Sequence, residues 1–242
     1  MDKMKCIVLG SKPGANLFTA DFYYSANVSL SFHESHLRTI KEEKIKNIVS
    51  ASEIVSSRRN DIDKQNWHRE KLKRFKMLKG DFVILNAEYF PEYIENIPVA
   101  LKHTTYSTIK INSLIKSITG FRVPIVRLSS LDVKMVVHLL KDLSLQLVNQ
   151  GYLVLPLFRP STGIIALIKA INDHGTNAEY HLVGIGAQQR GVYPSGMKNT
   201  WTPKNKIDRN HVIADMAILR RLSSEYQIII HDSTLRSLIY GV

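Results

Sequence analysis

The sequence lacks several features that would assign a protein to a class at once. Its 242 residues include one cysteine, Cys6, which excludes an intrachain disulfide and a metal cluster built on cysteines. No apolar run approaches the roughly 20 residues that a membrane-spanning helix needs. The chain begins directly with a strand pattern, which is not typical of a secretory signal. These absences favour a cytoplasmic protein.

Common catalytic signatures are missing as well. No Gly-x-Ser-x-Gly segment is present, so nothing supports a hydrolase triad. The nearest Asp-x-Asp segment, 61–63, lies in a polar region, where we interpret it as solvated rather than as a metal-dependent sugar-nucleotide site. His33 and His36 have no third ligand at metal spacing. We therefore predict no metal.

Positive charge, in contrast, is in excess. The formal net charge is +12, from 33 Lys and Arg against 21 Asp and Glu. This balance suits a nucleic acid, an anionic membrane surface or an anionic small substrate. No recognised nucleic-acid module is present, so we predict no nucleic-acid partner. A solvated helix face, or peripheral contact with the inner face of a membrane, remains open for the basic cluster Arg58, Arg59, Arg69, Lys71, Lys73, Arg74, Lys76 and Lys79.

Strand and helix patterns alternate along the chain. Apolar, β-leaning runs predict strands over 4–9, 22–32, 81–86, 152–158, 180–185 and 226–230. Apolar stripes at helical spacing predict helices over 133–147 and 211–222, and a third after the turn at 160–163. The alternation implies an α/β fold, a Rossmann-like and largely parallel sheet flanked by helices, as a single domain over 1–242.

Two regions have weaker patterns. Residues 36–79 are polar, and their apolar side chains, including Ile45, Ile48 and Val49, stand at helical spacing, which predicts one or two exposed helices. Residues 89–126 contain three prolines and no clear period. We expect loops and short helices there, arranged as a lid on the acceptor side of a site.

A first candidate binding element follows the first predicted strand. Its residues are Gly10-Ser11-Lys12-Pro13-Gly14-Ala15-Asn16-Leu17. It is no dinucleotide fingerprint, because Lys12 stands where the second glycine belongs, and the residues after Gly14 do not fit a P-loop. Such a turn can present backbone N–H groups to a phosphate, but an ordinary strand-to-helix turn explains the residues equally well.

A second candidate element is the turn Arg159-Pro160-Ser161-Thr162-Gly163, which precedes an apolar helix pattern. Ser161 or Thr162 can cap that helix. A helix N-terminus beside the guanidinium of Arg159 is a suitable place for a phosphate. A plain helix cap is the alternative interpretation.

The third element pairs a histidine with an acid. His211 and Asp215 are four residues apart, so they share one face of the predicted helix. A histidine at a helix start can serve as a general base near neutral pH or hold a phosphate, and Asp215 could orient it. A surface pair without function is the alternative.

In their order, these elements resemble the motifs of the animal-type sialyltransferase family and its bacterial relatives. The segment from Gly10 to Leu17 resembles the long motif, which Asn27 would close. The turn 160–163, with the strand end at Val183-Gly184, resembles the short motif. His211 and Asp215, with the helix that follows, resemble the very short motif.

The resemblance implies a transferase that uses a CMP-activated ulosonic acid, either sialic acid or Kdo, and needs no metal or other cofactor. It would transfer the sugar to a hydroxyl of a cell-surface glycan or glycolipid, with inversion and with His211 as base, assisted by Asp215. Positive charge for the leaving phosphate would come from Lys12, Arg159 and Arg209. The resemblance implies that the nucleotide is held by Gly10, Ser11, Lys12, Gly14, Asn16, Asn27, Arg159, Ser161, Thr162 and Gly163.

The sequence also departs from the family pattern. The disulfide that joins the long and short motifs in the animal enzymes cannot form with Cys6 alone. The acid is an aspartate and follows His211 more closely than usual, and a separate second histidine motif is not evident. A retaining mechanism with Asp21 or Asp215 as nucleophile stays open. So does a non-catalytic module on the same fold that binds a nucleotide or an anionic surface.

Overall fold

A computed structural model describes residues 3–11, 16–55, 62–98, 101–121, 160–185 and 209–241 of the protein. The strands in these ranges are β1 Met4–Leu9, β2 Phe22–Ala26, β3 Ile45–Ser50, β4 Asp81–Leu85, β5 His103–Tyr106, β6 Ala178–Val183 and β7 Gln227–Ile230. The helices in them are α1 Glu34–Thr39, α2 Ile62–Phe75, α3 Thr108–Thr119, α4 Thr162–His174, α5 Arg209–Ser223 and α6 Ser233–Tyr240.

All seven strands belong to one parallel sheet with the order β5-β4-β3-β2-β1-β6-β7. From β1 the chain adds strands towards β5 at one edge, and it returns to place β6 on the other side of β1. The predicted Rossmann-like α/β arrangement, a parallel sheet flanked by helices, is therefore confirmed. None of the helices in the described ranges is long and apolar enough to cross a membrane.

Both faces of the sheet are buried along β1 to β4 and β6, as expected for parallel strands between helical layers, whereas the edge strand β5 is mostly exposed. One face carries Val8, Tyr24 and Leu182, which share a core with the apolar side of α4 and with α3 and α5. The opposite face carries Ile7 and Leu9, which pack in a second core with α1 and α2. α4 is the most deeply buried of these helices, because almost every side chain from Gly163 to Ile171 is shielded from solvent.

The expectation of a wholly helical region over 36–79 is wrong. α1 and α2 lie within or beside it, but Ile45–Ser50 forms β3, which pairs with β2 and β4 near the middle of the sheet. Ile45, Ile48 and Val49 fit a helical period and a buried strand equally well in so short a run. Because β3 is covered on both faces, its apolar residues do not alternate with polar ones.

The strand predicted over 22–32 ends early. β2 stops at Ala26 because Asn27 adopts a left-handed conformation, with φ of 56°. A 3-10 turn, Ser29–Phe32, follows it, and the hydroxyl of Ser29 donates to the carbonyl oxygen of Ala26. Short polar side chains that bond to nearby backbone compete with strand pairing in this way.

The region 89–126 contributes in part to the sheet. β5 pairs with β4 at the edge, and α3 packs over the sheet through Ile111 and Ile115, which are fully buried. A role as an acceptor-side lid stays a prediction. The helix predicted over 133–147 and the strand predicted over 152–158 lie outside the described residues.

Candidate functional site

The candidate site lies where the strand order reverses. The carboxyl ends of β1 and β6 are adjacent, and the chain reaches them from opposite halves of the sheet. In doubly wound folds, ligands bind in the crevice outside the carboxyl ends of the strands at such a point. Gly10 follows β1 there, and Gly184 follows β6.

Ile185 packs between two of the candidate elements. A Cβ on Gly10 would lie 2.4 Å from the carbonyl oxygen of Gly184 and 2.6 Å from Cγ1 of Ile185. A Cβ on Gly163 would lie 3.0 Å from Cδ1 of the same isoleucine. The N–H of Gly10 also donates to the carbonyl oxygen of Val183 at 2.8 Å. The two glycines therefore bring the end of β1 and the start of α4 against one side chain.

The turn before α4 is a helix cap, as the sequence predicts. Ser161 is the N-cap residue, and its Oγ accepts a hydrogen bond from the N–H of Ile164 at 3.4 Å. Thr162 and Gly163 begin the helix. A helix start of this kind leaves backbone N–H groups for an anion.

Asp215 joins α5 to this turn. Its Oδ1 accepts a hydrogen bond from the backbone N–H of Ser161 at 2.7 Å. Burial raises the pKa of Asp215 to about 7, although the hydrogen bonds from Ser161 oppose the shift. The carboxyl group therefore sits at the start of α4, close to the balance between its neutral and ionised forms. His211 lies one helical turn before Asp215 in α5. Its role as a general base stays a prediction.

Asn27 lies at the same edge and connects two strands. Its N–H donates to the carbonyl oxygen of Ile48 at 2.7 Å, and its Oδ1 accepts from the N–H of Ser50 at 3.2 Å. These bonds join the ends of β2 and β3. The side-chain oxygen of Asn27 therefore has a structural role. A contact between Asn27 and a nucleotide stays a prediction.

A related arrangement at the end of β4 was not found from the sequence. Asn86 is also left-handed, with φ of 56°, and its Oδ1 accepts from the hydroxyl of Thr108 at 3.2 Å. Glu88 accepts from the N–H of Thr108 at 2.6 Å. An asparagine directly after an apolar strand, present here and at Asn27, is the signal that could have identified it.

The other residues that the sequence predicts for the site differ in where they lie and in whether the structure describes them. Ser11, which lies two residues after β1, and Asn16 are both exposed. Arg209 begins α5, whereas Lys12, Gly14 and Arg159 lie outside the described residues. Asp21 precedes β2 and accepts from the N–H of Lys5 at 2.8 Å, at the amino edge of the sheet. Asp21 therefore lies at the opposite edge of the sheet from the candidate site, and its role as a nucleophile stays a prediction.

The basic cluster is only partly free for a surface partner. Lys71 pairs with Glu53, and burial lowers the pKa of Lys71 to about 8. Arg74 is buried, pairs with Glu70 at 2.8 Å and lies over the ring of Phe32. From residue 69 onwards, where burial in α2 and the turn after it is described, the exposed basic residues are Arg69, Lys73 and Lys76.

Cys6 is not a reactive thiol in this structure. It is fully buried in β1, and burial raises its pKa to about 12, with nearby carboxylates adding to the shift. A thiol is nucleophilic only as the thiolate, so Cys6 serves as a small core residue. Within the described ranges, no group of three or more His, Cys, Asp or Glu side chains could hold a metal ion.

Comparison with known proteins adds no relative. No family model, no curated protein and no solved structure matches the chain. The family resemblance of the three elements therefore stays a prediction.

Replacing Gly10 by alanine tests the packing around Ile185. The new Cβ would meet the backbone oxygen of Gly184, which cannot move without disturbing β6. We expect Gly10→Ala to lower the free energy of unfolding by about 3 kcal/mol, measured by urea denaturation. Gly163→Ala is the matched control, because its Cβ meets the flexible end of Ile185 and alanine favours a helix. Equal losses in both variants would contradict this packing.

Replacing Asp215 by asparagine tests its raised pKa. Asparagine keeps an oxygen for the N–H of Ser161 but cannot ionise. An acid whose pKa rises on folding makes the native state lose stability as the pH increases through the range from its ordinary value to about 7. At pH 8 we expect Asp215→Asn to be more stable than the wild type by about 2 kcal/mol, allowing for the partial exposure of the side chain.

This advantage should shrink as the pH falls from about 7 to about 4 and vanish below that range, where the wild-type carboxyl group is protonated in both the folded and the unfolded state. Denaturant unfolding across this pH range provides the measurement. Asp21→Asn is the control, since Asp21 also accepts a backbone N–H but is exposed. A difference in stability between Asp215→Asn and the wild type that does not vary with pH would contradict the raised pKa of Asp215.

Proposed function

We propose that the protein is a glycosyltransferase that moves an acidic ulosonic sugar, sialic acid or Kdo, from its CMP donor to a hydroxyl of a cell-surface glycan or glycolipid. The hydrogen bond from Ser161 to Asp215 is the observation that supports this most. It joins two segments, 54 residues apart, that resemble the short and very short motifs. Ile185 joins the first of them to Gly10, which begins the segment that resembles the long motif.

The donor would lie across the carboxyl ends of β1 and β6. Gly10 and Ser11 follow β1, and the start of α4 at Thr162 and Gly163 supplies N–H groups that have no carbonyl partner within the helix. A phosphate group is stabilised by such N–H groups and by the positive end of the helix dipole. The net charge of +12 favours an anionic donor over a neutral one.

The chemistry proposed is a metal-independent displacement with inversion. His211 accepts the proton of the acceptor hydroxyl, whose oxygen forms the new bond to the anomeric carbon. The bond to the CMP phosphate breaks, and the leaving group keeps the electron pair. Thr162, with the basic residues Lys12, Arg159 and Arg209, would stabilise the negative charge that develops there.

Asp215 takes part through its position. Its carboxyl group is occupied by the N–H of Ser161 at 2.7 Å, and this contact couples the start of α4 to the helix that carries His211. A carboxylate in that contact is poorly placed to attack the sugar. The geometry therefore favours the inverting over the retaining proposal.

Thermal-shift measurements against CMP, CDP, UDP and ADP test the donor. A ligand that binds only the native state, at a hundredfold excess over its dissociation constant, stabilises it by about 2.7 kcal/mol. We expect CMP to raise the melting temperature more than the other three nucleotides. A clear preference for UDP or ADP would reject a CMP-dependent enzyme.

Replacing His211 by alanine tests the base and separates an enzyme from a binding module. With CMP-sialic acid or CMP-Kdo as donor, we expect transfer to fall by about 10²- to 10⁴-fold while CMP still stabilises the protein. His103→Ala is the control, since His103 is exposed on β5, at the far edge of the sheet. Unchanged transfer would refute His211 as base. Binding of CMP without transfer by the wild type would favour the non-catalytic module.

A further inference from the structure

A second group of titratable side chains lies on the face of β6 and β7 that is opposite α4. Tyr180 and Leu182 of β6 face the core shared with α4, whereas Val183 faces the other core. Side chains alternate along a strand, so His181 shares the face of Val183. It is only 8% exposed. This group is therefore separate from the contact between Ser161 and Asp215.

Three side chains form a hydrogen-bonded row on this face. Oε1 of Glu179 lies 2.9 Å from Nε2 of His181, and Nδ1 of His181 lies 3.1 Å from Nε2 of His231. His231 directly follows β7, where its N–H donates to the carbonyl oxygen of Leu182 at 3.1 Å, and it is exposed. The row thus runs along β6 from a carboxylate to the carboxyl edge of the sheet.

The carboxylate determines which nitrogens carry hydrogen in the neutral pair. An ionised Glu179 can only accept, so Nε2 of His181 must donate to it. Nδ1 of His181 is then an acceptor, and Nε2 of His231 must donate to it. A neutral His231 therefore keeps a lone pair on Nδ1, which has no hydrogen-bond partner in the part of the chain that the structure describes.

The surroundings favour this neutral form of His231. Burial, the neighbouring His181 and Arg236 of α6 all lower its pKa. Glu179 is itself supported by the side-chain amide of Gln227, which donates at 3.1 Å, while Nζ of Lys5 lies 4.0 Å away.

The ring of Phe18 packs against both imidazole rings. It lies edge-on to His181, with centroids 4.9 Å apart, and tilted against His231 at 5.7 Å. The carboxyl group of Asp232, the residue after His231, caps α6 by accepting from the N–H of Leu235.

We propose that Glu179, His181 and His231 form a proton relay that makes Nδ1 of His231 a general base for a hydroxyl group at the carboxyl edge of β7. The O–H bond of the substrate breaks as Nδ1 takes the proton, and the oxygen keeps the electron pair and becomes the nucleophile. The Nε2 proton of His231 passes to Nδ1 of His181. The positive charge then rests on His181 beside Glu179, where the carboxylate stabilises it.

The relay does not depend on the proposed sugar transfer, so a neutral probe tests it. The probe is p-nitrophenyl acetate, whose ester carbon is attacked by the activated oxygen as p-nitrophenolate leaves. We expect His231→Asn to lower the rate of p-nitrophenolate release by about tenfold or more. His103→Asn is the matched control, an exposed histidine on the strand at the other edge of the sheet. Equal losses in the two variants would overturn the proposal.

Glycerol, added to the same assay, shows whether the hydroxyl group that attacks the ester comes from water or from an alcohol. Attack by water yields acetate, whereas attack by an alcohol yields its acetyl ester. Either product, if lost in His231→Asn, supports the relay, and a product yield that does not respond to this substitution overturns it.

The positioning role of Glu179 has its own readout in the pH dependence of the rate. Glu179→Gln keeps an oxygen for His181 but removes the negative charge that stabilises the protonated pair. We expect the midpoint of the rate–pH profile to fall by about one unit, with an unchanged melting temperature as evidence of an intact fold. A midpoint that does not move would show that the carboxylate has no part in the relay.

Discussion

The fold around the crevice depends on the close approach of backbone segments to Ile185. Gly10 and Gly163 have no side chains, so the end of β1 and the start of α4 both reach this isoleucine after β6. Any larger residue at Gly10 would push against the backbone of Gly184. The spacing between the first strand, the sixth strand and the fourth helix is therefore set by van der Waals contact, and Asp215 then secures the helix start with a hydrogen bond.

Electrostatics divide the carboxyl edge into two different environments. On the side of α4, a carboxyl group with a raised pKa meets the start of a helix. On the other side, a carboxylate stands behind two imidazoles, and the outer imidazole reaches solvent. Groups whose pKa values are moved apart by their surroundings are typical of acid–base chemistry. A parallel sheet permits both environments, because the end of each strand borders both faces of the sheet.

Local patterns explain which parts of the fold could be predicted from the sequence. β1, β4 and the Ser161 cap follow from an apolar run or a capping residue within a few positions, so their prediction needed no knowledge of partners. β3 was missed because Ile45, Ile48 and Val49 satisfy two periods, and only the neighbouring strands decide between them. The bond from Ser161 to Asp215 and the pair of His181 with His231 join residues far apart in sequence. No local signal exists for such contacts, since the sheet order creates them.

The strand order also has a consequence for how the protein folds during synthesis. β1 is made first, yet its neighbour β6 emerges from the ribosome only after the β2 to β5 half of the sheet has been made. Until then one long edge of β1 has no partner, and unpaired strand edges favour aggregation of nascent chains. The seam between β1 and β6, beside Gly10 and Ile185, therefore closes late, and only the addition of β7 to β6 follows it. A ligand that binds across this seam would therefore act as a late template for completing the sheet.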